Sequence, residues 1–152
     1  MKEKETLKQL QLIFLALAAG QILFCLVVVY LAQTGTLSPS NLGLPLSFLL
    51  PTILFAAAGT AYFLSNRLSM EGKQLPTLSE KVQHYRNASI LRLALVEGAN
   101  ILIVSFAMLE ANLSFLAFFA IGLLIFAYFR PGLDKLAQSY ELNAQELGAL
   151  RD

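Results

Sequence analysis

The sequence is too apolar for a soluble domain of its length. Of its 152 residues, 57% are hydrophobic and only 14% are charged, whereas soluble domains carry about a quarter charged residues. The net charge of +1, with basic residues scattered along the flanks of apolar segments, argues against a nucleic-acid-binding protein. We therefore expect an integral membrane protein whose first partner is the lipid bilayer.

The first half of the chain contains two apolar segments. Positions 9 to 66 hold no charged residue, and this run is long enough for two membrane-spanning helices. The pattern predicts spans over 10–32 and 46–65, joined by turn-forming residues. Pro51 predicts a kink in the second span. The single cysteine, Cys25, allows no disulfide and no thiol metal site, so we expect it to serve packing.

The second half repeats this arrangement with shorter connections. A polar segment over 66–89 precedes a third span over 90–109, and a tight turn leads into a fourth over 113–129. Thr77 with Glu80 matches a capping box, which predicts that the third helix begins at Leu78, before the membrane. The sequence thus predicts one all-α domain, a bundle of four transmembrane helices with helical extensions.

The tail over 130–152 carries its own helix signals. Apolar residues recur at helical spacing from Leu133 to Tyr140, and Asn143 with Glu146 forms a second N-cap signature. We expect two short amphipathic helices on the membrane surface.

The orientation follows from the basic residues, because Lys and Arg near the spans are retained in the cytoplasm. All eleven lie in the two tails or in and around the segment between the second and third spans, and the other two connections have none. We therefore expect a multi-pass protein of the bacterial inner (plasma) membrane with both termini in the cytoplasm. The basic residues are Lys2, Lys4, Lys8, Arg67, Lys73, Lys81, Arg86, Arg92, Arg130, Lys135 and Arg151.

Short matches between the two halves suggest an internal repeat. The segment Leu15-Ala-Leu-x-x-Gly20 matches Leu93-Ala-Leu-x-x-Gly98, and Ala61-Tyr-Phe matches Ala127-Tyr-Phe. Both hairpins start on the same side, as in a parallel duplication. Chance matches between apolar segments remain the alternative.

Small residues one turn apart predict close helix packing. The pairs Ala16 with Gly20 and Ala94 with Gly98 would let the first and third helices approach each other, and Gly59 lies in a similar stretch of the second. The simpler interpretation is that small residues are common in membrane helices.

Glu97 is the residue that most requires an explanation, because a carboxylate inside the bilayer is costly. Asn100 lies three residues further on, and Gln21 lies at a comparable depth in the first helix. The sequence predicts a cluster of Glu97, Asn100 and Gln21, which either binds a proton or cation or holds the helices together by hydrogen bonds. The sequence contains no Gly-rich phosphate loop, His-Glu-x-x-His motif, paired cysteines or nucleophile elbow, so we expect no catalytic residues, cofactor or metal.

Two resemblances accompany this interpretation. Residues 94–107, with Glu97 followed by Gly98, resemble the carboxylate-bearing helix of the proteolipid c subunits of rotary ATPases, which implies an ion-binding role for Glu97. The second helix lacks the long glycine repeat of those subunits, and the loop lacks their Arg-Gln-Pro turn. Over its whole length, with Tyr85-Arg86, the 94–98 motif and Arg130-Pro131, the chain is similar to uncharacterised four-helix inner-membrane proteins of Bacteroidota, a resemblance that implies no activity.

Three hypotheses for function follow. The first is a non-enzymatic accessory or scaffolding protein that associates with itself or with another membrane protein. The second is a proton- or cation-binding membrane subunit that uses Glu97. The third is a small-solute transporter formed by an oligomer, since four short helices would need further copies to enclose a path.

Overall fold

The described residues form helices joined by short connections. The computed structural model describes residues 2–40 and 45–151, so part of the predicted first connection, 41–44, lies outside the described residues, as does Asp152. Within these ranges the helices are α1 (Lys2–Gln33), α2 (Leu46–Lys73), α3 (Leu78–Leu109), α4 (Leu116–Tyr128), α5 (Leu133–Tyr140) and α6 (Ala144–Arg151), with a 3-10 turn, Leu113–Phe115, before α4.

Three of these helices are long and apolar enough to cross a membrane: α1, α2 and α3. A fourth candidate is the segment from Leu113 to Tyr128, which is followed after a bend of 66° by α5. This segment is short for a span, because 16 helical residues extend only ~24 Å.

The boundaries of α3 agree with the prediction from its cap. The Thr77 side chain accepts a hydrogen bond from the backbone N–H of Glu80, and the Glu80 carboxylate accepts one from the backbone N–H of Thr77. The same reciprocal pattern joins Asn143 and Glu146 at the start of α6. Both predicted caps are confirmed.

The predicted polar segment over 66–89 is mostly helical. Helix α2 continues to Lys73 and α3 begins at Leu78, so the connection consists only of residues 74–77. Apolar content marks where a bilayer would end, whereas the backbone can remain helical beyond that point.

Helix α3 lies at the centre of the molecule. It packs against α1, α2 and α4, whereas α1 and α2 hardly contact each other in the described ranges. Three clusters of buried side chains follow its length. The first is centred on Leu50 and Ile103, the second on Leu93 and Phe126, and the third on Val82.

The two ends of the molecule differ. We call the end formed by 2–10, 64–90 and 128–151 the charged end, and the opposite end, formed by 33–40, 45–46 and 109–115, the loop end. At the loop end Ser40 donates hydrogen bonds to the Leu109 carbonyl at 3.0 Å and to the Glu110 carboxylate at 3.3 Å. The first connection is thereby fastened to the turn between α3 and α4.

Candidate functional site

A buried pair of amides lies between α1 and α3. Asn100 Nδ2 donates a hydrogen bond to Gln21 Oε1 at 2.7 Å, and the two side chains are 0% and 2% exposed. The pair separates the buried cluster around Ile103 from the one around Leu93. The structure thus brings together two of the three residues that the sequence analysis grouped.

Gly122 of α4 lies against the Gln21–Asn100 amide pair, which the sequence did not predict. A Cβ atom at this position would overlap Asn100 Oδ1, and it would lie 2.8 Å from Asn100 Cγ and 3.2 Å from Leu54 Cδ1. Only glycine therefore fits against Asn100 without displacing it. We call the level at which these side chains meet the central polar layer. It contains one residue from each of α1, α2, α3 and α4: Gln21, Leu54, Asn100 and Gly122.

The central polar layer keeps unused hydrogen-bonding capacity. Gln21 Nε2 and Asn100 Oδ1 are buried and have no hydrogen-bond partner in the described part of the chain. An unpaired polar atom in a water-free interior costs about 1–3 kcal/mol. Two neutral amides have no proton to exchange near neutral pH, so this layer can orient helices or bind a polar group but cannot carry a proton.

Glu97 does not belong to this layer, which corrects the expected cluster of three. It is only partly buried, and the described residues offer it no hydrogen bond or ion pair. Three residues correspond to 300° around a helix, so Glu97 lies at the edge of α3 while Asn100 points to its packed centre. No group of three His, Cys, Asp or Glu side chains in the described ranges could hold a metal ion.

The predicted small-residue motifs lie on the outside of the molecule. A Cβ at Gly20, Gly59 or Gly98 would meet nothing within 4 Å, and Ala16 and Ala94 are exposed. These residues therefore do not bring helices together within one chain. Spacing identifies which small residues share a helix face, but it does not show whether that face packs inside the chain or faces outwards.

The charged end contains a second ordered structure, centred on Tyr140 of α5. This side chain is 2% exposed, its ring lies edge-on to Tyr85 with centroids 5.7 Å apart, and its hydroxyl lies 2.7 Å from His84 Nδ1. Burial raises the pKa of Tyr140 to about 12, so the phenol stays protonated at neutral pH. Gly72 of α2 lies against the ring, where a Cβ would overlap it.

Two ion pairs fasten the tail to the long helices. Lys81 Nζ lies 2.8 Å from Glu146 Oε1, with side chains only 12% and 15% exposed, and Lys73 Nζ lies 2.5 Å from Glu141 Oε1 near the surface. The hydrogen bond from Lys81 is the main cause that lowers the pKa of Glu146, aided by the backbone N–H of Asn143. We call α5, α6 and the ends of α1, α2 and α3 that they cover the charged-end module.

Comparison with known proteins gives no further guidance, because no family model, curated protein or solved structure matches this chain. Glycines that contact a buried side chain were the main omission of the sequence analysis. The sequence signal for such a contact at Gly122 was that it is a lone glycine in the most apolar helix.

Proposed function

We propose that this protein is a four-span membrane protein of the bacterial inner membrane that acts without catalysis as an accessory or scaffolding component. In this proposal the charged end lies in the cytoplasm and presents the charged-end module to a partner, either a second copy or another membrane protein. The distribution of the eleven basic residues supports this orientation.

The central polar layer is evidence that α4 is a fourth membrane-spanning helix. Gln21, Asn100 and Gly122 lie close to the middle of the predicted spans 10–32, 90–109 and 113–129, and Asn100 contacts both others. Helices that cross a bilayer together place the middles of their spans at one depth. Because α4 shares this layer with α1 and α3, we infer that it crosses the membrane with them.

The observation that carries the proposal is that the charged-end module has a fixed, packed structure. Leu136, Tyr140 and Leu150 are buried against α1 and α3, and the Lys81–Glu146 pair bridges α3 and α6. A tail that served only as a solubilising end would need none of these contacts. A fixed surface, by contrast, is what a partner recognises with little entropic cost.

Site-specific photocrosslinking in cells tests the partner surface. A photoreactive amino acid replaces Met70, Gln83 or Gln145, which are exposed at the charged end, and matched controls carry it at Thr36 or Asn112 of the loop end. We expect discrete adducts of defined mass from the charged end only. Absence of adducts from all three positions, in protein that still purifies as a folded species, would contradict the proposal.

A second candidate function is proton or cation binding at Glu97. The observation that favours it is a partly buried carboxylate, about one turn from the central polar layer, to which the described residues offer no partner. The resemblance of residues 94–107 to the proteolipid c subunits points the same way. Intramembrane carboxylates are rare and are commonly functional.

Carbodiimide labelling across pH distinguishes the two functions, because it modifies protonated carboxyl groups in apolar surroundings. For ion binding, we expect labelling that is lost in Glu97→Gln, titrates with pH and is blocked by a cation. If labelling of Glu97 changes with neither pH nor added cation, Glu97 is a structural residue and the scaffolding role is favoured.

A further inference from the structure

A polar cavity of about 270 Å³ lies at the charged end between α2, α3, the end of α4 and α5. Its volume is just below the ~300 Å³ at which sites for drug-sized ligands begin. Two basic side chains, Arg92 and Lys135, line it together with neutral hydroxyl and amide groups, and no lining residue is acidic. The neutral polar groups include Ser65, Asn66, Gln138 and Ser139.

Arg92 is held in place by neutral partners. Its Nη1 donates to Ser65 Oγ at 2.6 Å and its Nη2 donates to Ser89 Oγ at 2.7 Å, while the guanidinium carbon lies 5.8 Å from the centre of the Tyr85 ring. Its Nε is buried and has no partner in the described part of the chain. No ion pair joins Arg92 to a carboxylate within residues 2–40 and 45–151. Burying a charge without a counter-charge is costly, so this arrangement leaves a cation that an anion would stabilise.

Lys135 contributes the second charge. Its Nζ donates to the Tyr128 carbonyl and lies 5.1 Å from the centre of the Tyr128 ring. Burial lowers the pKa of Lys135, and the positive charges of Arg92 and Arg130 lower it further. The adjacent carboxylate, Asp134, lines a separate cavity that Arg130 and Lys135 also line.

The depth of the cavity fits the level of lipid headgroups. Tyr62 and Tyr128 line it and are 55% and 63% exposed. Exposed tyrosines at the ends of apolar helices are typical of the membrane–water interface. The Arg92 guanidinium still has N–H groups beyond those bound to the serines, because it carries five.

We propose that this cavity binds a phosphate group, supplied by a phospholipid headgroup or by a free phosphate in solution. Arg92 and Lys135 provide the charge, and the Ser65 and Ser139 hydroxyls and the Gln138 amide donate hydrogen bonds to the phosphate oxygens. This site is independent of the proposed scaffolding function, because it requires no protein partner.

The test measures binding to the purified full-length protein with two probes. The first probe is phosphatidylglycerol, compared with the phosphate-free lipid diacylglycerol, in nanodiscs and by counting retained lipids with native mass spectrometry. The second is inorganic phosphate added to the protein in detergent, measured as a shift in unfolding temperature. The variants are Arg92→Gln and Lys135→Gln, with Lys135→Arg as the conservative replacement.

Arg67→Gln is the matched control, since Arg67 is a 70% exposed basic residue of the same end that does not line the cavity. We expect each cavity variant to bind roughly fivefold more weakly than the wild type, because each loses one favourable positive charge. We also expect wild-type binding in Arg67→Gln and Lys135→Arg. A response to phosphatidylglycerol alone identifies a lipid headgroup, whereas a response to inorganic phosphate identifies a free phosphate.

Two results would overturn the proposal. One is that phosphatidylglycerol binds no better than diacylglycerol and inorganic phosphate does not shift the unfolding temperature. The other is that Arg67→Gln weakens binding as much as Lys135→Gln, because basic residues would then act only through general surface attraction. Lys135 lies at the exposed edge of the cavity, so Lys135→Gln keeps the test decisive even where Arg92→Gln fails to fold.

Discussion

Asn100 joins three helices through one short side chain. Its Nδ2 bonds to Gln21 of α1, and its Oδ1 lies against the backbone of Gly122 in α4. Hydrogen bonds between membrane helices contribute about 0.6–2 kcal/mol. Both the hydrogen bond to Gln21 and the steric fit at Gly122 depend on the Asn100 side chain.

At this scale we predict that Gly122→Ala destabilises the protein by about 1–3 kcal/mol through overpacking. On the Asn100→Ala background the same substitution should cost less, because the atom that it would overlap is gone. Unfolding in detergent measures both free energies. The matched control is Gly98→Ala, where the added methyl meets nothing, so the change should be neutral or slightly stabilising. Additive effects of Gly122→Ala and Asn100→Ala would refute the direct contact.

At the scale of elements, α5 is held against α2 by the fit of Tyr140 over Gly72. We predict that Gly72→Ala displaces the Tyr140 ring and raises amide hydrogen exchange in 133–140, with little change in 93–107. Gly148→Ala in α6 is the control, because its methyl would meet nothing and alanine favours helix by about 1 kcal/mol. Unchanged exchange in 133–140 of Gly72→Ala would show that the ring can relocate at no cost.

Helix α6 should detach in acid. The folded protein holds the pKa of Glu146 below its ordinary value of 4.5, so this group stabilises the fold above that pH and loses its contribution as the pH falls further. We predict increasing hydrogen exchange in 144–151 as the pH falls below about 4.5, after correction for intrinsic rates. Glu146→Gln should remove most of this dependence. An identical pH dependence in Glu146→Gln would assign the acid effect to another group.

For the whole molecule, the proposed orientation yields a direct prediction. In a Cys25→Ala background, single cysteines at Thr36 and Asn112 should react with a membrane-impermeant maleimide applied to spheroplasts. Cysteines introduced by Gln83→Cys and Gln145→Cys should react only after lysis. All four positions are exposed in the structure, so accessibility within the protein does not bias the comparison. Labelling of the Gln83→Cys variant in intact spheroplasts would contradict the proposed orientation.

The sequence predicted the elements better than their contacts. The limits of α3 were predictable because the Thr77–Glu80 cap is local, and the pairing of Gln21 with Asn100 followed from their similar depth. The position of Glu97 was not predictable, because a difference of 60° around α3 separates a packed position from an edge. The role of Gly122 depended on which atom of another helix approaches it, and no spacing within one segment encodes that.

The central position of α3 has a consequence for synthesis. Because α1 and α2 hardly contact each other in the described ranges, the first two helices have little tertiary structure to share before α3 is made. Gln21 meets its hydrogen-bond partner only when a residue 79 positions later has been made. At about 5–20 residues per second, roughly 4–16 s pass between the synthesis of Gln21 and that of Asn100. During this interval Gln21 lacks the hydrogen-bond partner that it has in the folded protein.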